Sequence, residues 1–355
     1  MIPIPFLQYI SIPTGAASVI SSYTYSSADA LQGCDISYDS SYVYCMISDN
    51  STNSYVYFFN STTGILSHTI SVPYPLKSLQ MFSDGYFKGV TRGVANLSRY
   101  IQISSTGSNS SILYSNTGTG FSNVNGNQAL MTVNNRIYVG SQGPGEPVSG
   151  DHVFSASASL STKVESNNFS ATNFNTKDLK ALGSDQLLIL TSNGASITRI
   201  TKVSVPTYSI TSTDINTIWS PDNSENQARF DYDGSDIVMA AVSNGVSQSQ
   251  VLKYVPSTEV MTSAISLSSG RITSGMSYCS SNKSFYFSDR DISGSGFTFS
   301  VNKTTDLTTF STTFTDINAY NAISAIKYIP SLNSICVIYN KLDGSIVKSI
   351  KFIGL

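Results

Sequence analysis

Asp39-Ser40-Ser41-Tyr42-Val43-Tyr44 reads as a polar turn that leads straight into a short aromatic and β-branched strand. A turn of Asp, Asn, Ser or Gly followed by such a run recurs at Tyr86-Phe87, Ile137-Tyr138-Val139, Leu187-Leu188-Ile189, Ile237-Val238-Met239, Phe285-Tyr286-Phe287 and Ile335-Cys336-Val337. From the first residue of each run to the next, the steps are 44, 51, 50, 50, 48 and 50. A repeat of that length with strand content in every unit points to a radial array of small sheets. Each sheet buries its apolar faces on its neighbours, which lets a chain of 355 residues grow without one large core.

Working outward, each turn is preceded by a short alternating strand, as in Leu79-Gln80-Met81-Phe82, Ala129-Leu130-Met131-Thr132-Val133, Ala228-Arg229-Phe230-Asp231-Tyr232 and Ala325-Ile326-Lys327-Tyr328. A third and fourth strand follow, joined by another polar turn such as Asn60-Ser61-Thr62-Thr63-Gly64 or Pro256-Ser257-Thr258-Glu259. The expectation is an all-β chain, a single seven-bladed β-propeller over residues 1–355 with four-stranded antiparallel blades. The blades begin near residues 32, 78, 128, 178, 227, 274 and 324. The last unit stops one strand short, and Phe6-Leu7-Gln8-Tyr9-Ile10-Ser11-Ile12-Pro13 matches Leu66-Ser67-His68-Thr69-Ile70-Ser71-Val72-Pro73 in pattern. Residues 6–13 are therefore expected to complete the last blade and close the ring, removing exposed sheet edges.

The Tyr42-Val43 strand and the Thr63-Gly64 turn resemble the tyrosine-valine and threonine-glycine blades of bacterial and archaeal surface proteins. Trp-Asp blades need a tryptophan in each repeat, and this chain has Trp219 alone; kelch blades need paired glycines, which are missing.

Charged residues make up 12% of the chain, about half the usual share, while Ser and Thr together number 97. The surface must be covered by hydroxyls and amides. Net charge is −2 and the 20 Lys and Arg are scattered singly, so no basic stripe is available for nucleic acid. No apolar run reaches spanning length, which argues against membrane insertion through a helix, and Met1 to Ile10 lack a basic start and carry prolines, unlike a secretory signal. A surface with few carboxylates keeps nearly the same charge in acid. This composition resembles surface or virion proteins of thermoacidophilic archaea and their viruses.

Cys34 and Cys45 lie symmetrically about Asp39-Ser40 and would face each other across a two-residue hairpin. They are either a disulfide or two small buried apolar side chains. A Cys279–Cys336 bridge would require favourable packing between blades. Seven Asn-X-Ser/Thr acceptor sequences occur, with Asn60 and Asn302 expected in turns, but a chain this rich in Asn, Ser and Thr produces that number by chance.

Signals for catalysis are absent: His68 and His152 are the two histidines, and no phosphate-cradling glycine loop, nucleophile elbow or zinc-binding helix motif occurs. No catalytic residue, metal site or cofactor is expected. Asp231, Asp233 and Asp236, or Asp289 and Asp291, are the acids that could pair for hydrolysis, although Asp233 reads better as a turn residue and Asp289-Arg290-Asp291 as a solvated loop. Two long connections, 141–152 and 212–227, are expected to carry binding, with Gln142, Glu146, His152 and Trp219 as contact residues; Trp219 packing beneath its own loop is the structural alternative.

These readings converge on a non-enzymatic interaction or attachment module on a virion or cell surface, outside the cell, whose partners are other virion or surface proteins or a host glycan or receptor. The competing class is an extracellular carbohydrate-active enzyme with carboxylates at the channel mouth, and an intracellular scaffold comes third.

Overall fold

The structure is a computed structural model. It describes residues 17–26, 31, 33–48, 52–82, 85–91, 98–104, 110–116, 129–133, 136–142, 151–157, 165–168, 175–192, 197–204, 209–216, 229–243, 249–268, 270–291, 297–343 and 345–355. Among the described residues the strands form seven four-stranded antiparallel sheets.

The first sheet runs outward through β2 (Gly33–Tyr38), β3 (Tyr42–Ser48), β4 (Ser54–Asn60) and β5 (Leu66–Val72), and the second through β6 (Leu76–Met81), β7 (Tyr86–Thr91), β8 (Ser98–Ser104) and β9 (Ser110–Asn116). The third holds β10 (Ala129–Val133), β11 (Arg136–Gln142), β12 (Asp151–Ser157) and β13 (Glu165–Asn168); the fourth, β14 (Asn175–Leu182), β15 (Gln186–Ser192), β16 (Ile197–Ser204) and β17 (Ile210–Asn216). The fifth holds β18 (Arg229–Tyr232), β19 (Val238–Ser243), β20 (Ser249–Val255) and β21 (Val260–Ser266); the sixth, β22 (Arg271–Cys279), β23 (Ser284–Asp291), β24 (Thr298–Thr304) and β25 (Ser311–Ile317). The last comprises β26 (Ala319–Ile329), β27 (Ser334–Asp343), β28 (Ser345–Gly354) and, from the other end of the chain, β1 (Val19–Ser26).

Position within a sheet explains the sequence of each strand. The second strands β3, β19 and β23 are buried along nearly their whole length, because both faces meet another sheet, and so they read as unbroken apolar or aromatic runs. The outermost strands β5, β21 and β25 are mostly exposed and carry Ser and Thr. The cores lie between sheets: Tyr44, Phe58, Phe87 and Ile101 join the first to the second, Leu188, Leu190, Phe230 and Tyr254 the fourth to the fifth, and Tyr286, Phe299, Ile326 and Val337 the sixth to the last. Innermost strands β6, β14, β22 and β26 each carry a register shift against their second strand, which re-aims the side chains that follow.

The strand that completes the last sheet corrects the sequence expectation. β1 pairs with β28 from Val19↔Ile353 to Ser26↔Val347, so residues 19–26 occupy the place expected for residues 6–13, which lie outside the described residues. Val-Ile-Ser-Ser-Tyr-Thr-Tyr-Ser is the better outer strand, with β-branched and aromatic residues and no proline.

The first and last sheets pack directly against each other. Val43, Ile47, Tyr57 and Phe59 share one apolar cluster with Ile329, Ile338, Ile350 and Phe352, and the Phe59 and Phe352 rings lie 5.2 Å apart. Hydrogen bonds cross the same junction among the described residues: Ser21 Oγ donates to the Gly64 carbonyl at 2.7 Å, Leu31 N–H to Asn340 Oδ1 at 3.1 Å, and Ser331 Oγ to the Ser61 carbonyl at 2.6 Å. Each buried Phe, Leu or Ile contributes roughly 1.5–3 kcal/mol, against about 1 kcal/mol for a neutral hydrogen bond. Apolar burial therefore dominates the junction, and the hydrogen bonds set its register.

Candidate functional site

The innermost strands β2, β6, β14, β18, β22 and β26 enclose a cavity of about 70 Å³, room for a few water molecules. Its charged side chains are Asp35, Asp178, Lys180, Arg229 and Lys327, and Asp231 lies beside them, 3.8 Å from Lys180 Nζ. Three acids thus face three bases among the described residues.

Each of the three carboxylates is held in the same way. Asp35 accepts the N–H of Ile36, its own neighbour, at 2.8 Å and of Leu79 in the next sheet at 3.0 Å. Asp178 accepts Leu179 N–H at 2.9 Å and Phe230 N–H at 3.1 Å; Asp231 accepts Tyr232 N–H at 3.1 Å and Tyr278 N–H at 2.8 Å. Hydroxyls make the same kind of link elsewhere, Ser37 Oγ to Met81 N–H at 3.1 Å and Ser277 Oγ to Tyr328 N–H at 2.9 Å. These side chains satisfy strand-edge N–H groups that face a neighbouring sheet rather than a neighbouring strand, and so tie successive inner strands together.

The electrostatics follow from this crowding. Burial pushes the Asp35 carboxyl above the usual range, against the opposing pull of the Arg229 guanidinium and the Leu79 and Ile36 N–H groups. Burial also works against the Lys180 ammonium, but Asp231, Asp178 and Asp35 outweigh it and hold that lysine above its ordinary value. Lys327 is held below its ordinary value, by the Lys180 cation first and burial second, in spite of the same three carboxylates.

The other sequence candidates fall elsewhere. Asp233 accepts the N–H groups of Ser235, Asp236 and Ile237 and closes its turn, and Asp236 accepts the Ser257 N–H at 2.9 Å. The solvated loop expected at Asp289-Arg290-Asp291 is instead the end of β23: Asp289 is fully buried, ion-paired with Arg271 and accepts Asn302 Nδ2–H at 2.9 Å, while Asp291 pairs with Arg271 in strand register. Asn302 is therefore a buried residue within β24 and not a turn residue. His68 is exposed on β5 with its ring stacked 4.1 Å from Phe58. Among the described residues no group of three or more His, Cys, Asp or Glu is placed to hold a metal.

Of the expected contact residues, Trp219 and Glu146 lie outside the described residues, whereas Gln142 ends β11 and His152 sits in β12 opposite Ser141. The strand ends flanking both long connections, Gln142 and Asp151 for one, Asn216 and Arg229 for the other, emerge on one side of the molecule, opposite the β2–β3 turn. The expected Cys34–Cys45 pairing is corrected. Cys34 stands opposite Ile47 and Cys45 opposite Ile36, and all four cysteines are buried. Asp39 N–H donates to the Tyr42 carbonyl at 2.9 Å and its carboxylate accepts the Ser41 and Tyr42 N–H groups, so the two-residue turn is centred on Ser40-Ser41, one residue later than expected, and the register shifts. Sequence reading missed Asp35, Asp178, Lys180, Arg229 and Lys327; the signal was an Asp followed by an apolar residue in the strand before a repeat turn, as in Asp35-Ile36, Asp178-Leu179 and Asp231-Tyr232.

No protein-family profile and no curated protein matches the chain. Solved structures do. The BP39L lectin from Burkholderia pseudomallei superposes with a TM-score of 0.67 at 10% identity, covering 91% of this chain and 98% of the lectin. Hydrazine synthase from Kuenenia stuttgartiensis gives 0.62 at 9% identity over 96% of this chain and 98% of that one, and the Dos1 propeller 0.53 at 14% over 88% and 75%. The fold is a β-propeller. At such identities the likeness extends to the propeller fold alone, whose four-stranded antiparallel blades place the charged cavity among their innermost strands.

Proposed function

We propose that this propeller is a non-enzymatic interaction module, exposed on a virion or cell surface, that binds protein or glycan through one face. In this reading the seven sheets are seven blades of a single ring, with β1 completing the last. The observation that supports a non-enzymatic role is the use of the cavity carboxylates: both oxygens of Asp35, Asp178 and Asp231 already accept backbone N–H groups. General acid–base hydrolysis needs a carboxyl free to meet the scissile bond or a water. The binding face is the side on which connections 143–150 and 217–228 leave the sheets, since long loops on a rigid scaffold are the usual place for recognition. One protein of this fold, BP39L, is a lectin, which supports glycan as a ligand class.

Mass spectrometry of purified virus particles and cell envelopes, together with a glycan array probed with the full chain, tests the reading. Recovery of the chain in either fraction with saturable glycan or surface-protein binding is expected. Turnover of a chromogenic glycoside that is abolished by Asp231→Asn would overturn it in favour of the enzyme.

A further inference from the structure

We propose that Cys45 and Cys336 are partners in a disulfide that staples the first and last sheets. Their sulfurs lie 3.6 Å apart although the residues are 291 positions apart in sequence. Cys45 is in β3 and Cys336 in β27, both second strands, and both side chains are fully buried in the apolar cluster that joins the two sheets. Around this pair the described residues hold the junction by the packing of Phe59 and Phe352 and by the hydrogen bonds described above. Cys34 and Cys279 are also buried.

The chemistry is thiol–disulfide exchange. One thiol, as thiolate, attacks an external disulfide such as glutathione disulfide and releases one thiol. The second protein thiol then attacks the mixed disulfide, forming the protein S–S bond and releasing a second thiol. Two electrons and two protons pass to the reagent, so the equation balances. Burial and the neighbouring sulfur hold the Cys45 thiol protonated in the folded chain. The exchange therefore takes place while the junction is open, before or during folding, and the closed junction then shields the bond from reductants. A cross-link joining opposite ends of the chain restricts the unfolded state strongly, because the closed loop is long.

The test uses the full chain refolded in a glutathione redox buffer, denatured in an alkylating reagent and digested without reduction. The expected result is a Cys45–Cys336 cross-linked peptide with only Cys34 and Cys279 alkylated, and a melting temperature roughly 5–10 °C above that of the reduced chain. Alkylation of all four cysteines, or a cross-link between any other pair, would overturn the proposal. Since both readouts come from the wild-type chain, no cysteine variant has to fold.

Discussion

Asp231 Oδ2 accepts the backbone N–H of Tyr278 at 2.8 Å, joining the inner strand of the fifth sheet to that of the sixth. Asp35 and Asp178 repeat the arrangement at other junctions, so the carboxylates in the cavity act as ties between sheets. A hydrogen bond to a charged group is worth about 1.5–3 kcal/mol. Asp231→Ala should therefore lower the unfolding free energy by roughly that amount, leaving the Tyr278 N–H unsatisfied and Lys180 without its nearest acid. Denaturant titration measures it, and a change below about 0.5 kcal/mol, the range of an ordinary surface substitution, would deny Asp231 this role.

Gly275 of β22 lies close against the last sheet. A Cβ at this position would sit 2.5 Å from Ile326 Cγ2 in the last sheet and 2.9 Å from Ser288 Oγ. Gly275→Ala should cost about 1–3 kcal/mol as overpacking. In a double-mutant cycle, Ile326→Ala should cost less beside Gly275→Ala than alone, because it removes the colliding methyl. Additive losses would mean that the two residues do not meet.

Asp316 links the sixth sheet to the last through Lys351 Nζ at 2.6 Å, Lys341 Nζ at 3.2 Å and the Tyr339 hydroxyl. Burial works against its charge, but the Lys351 and Tyr339 hydrogen bonds and the two lysine charges prevail and hold its pKa below the usual value. With the folded value below the unfolded one, the stabilisation is complete above the ordinary carboxylate range and disappears as pH falls through the folded pKa. Asp316→Asn should thus lose about 1–2 kcal/mol near neutral pH and converge with wild type in strong acid. Unfolding free energies across that range would contradict this if the gap persisted in acid.

Lys327 carries the opposite balance, since Lys180 and burial hold its pKa down. A lysine whose folded pKa lies below its unfolded value costs stability while protonated, and the cost fades as pH rises between the two values. Lys327→Met should raise stability at neutral pH by roughly 0.5–1 kcal/mol, the scale of a single charge–charge contact in partly solvated surroundings. It should also flatten the alkaline rise. A destabilised variant would mean that the three carboxylates outweigh Lys180.

What was legible in the chain follows from burial. The runs at Tyr42, Leu187, Phe285 and Ile335 fall in second strands, which meet apolar surface on both faces and therefore tolerate little but Val, Ile, Leu, Tyr and Phe. An outer strand has one wet face, so its pattern is weak, and Phe6 to Pro13 could imitate β5 while Val19–Ser26 formed the pairing with β28. The Cys34–Cys45 error came from centring the two-residue turn on Asp39-Ser40, when Asp39 caps it and the turn residues are Ser40-Ser41. The inter-sheet ties were hidden because an Asp in an alternating strand looks solvent-facing until the next sheet, about a repeat away, brings an N–H to it. Trp219 and Glu146, outside the described residues, stay as sequence expectations.

An experimental density map of the isolated full chain measures the ring directly. It should show seven blades, with Val19–Ser26 hydrogen-bonded to Ser345–Gly354 and Phe352 packed on Phe59 across the junction of the first and last blades. Six blades, or an open gap between β3 and β27 with β28 left as a bare edge, would contradict the account.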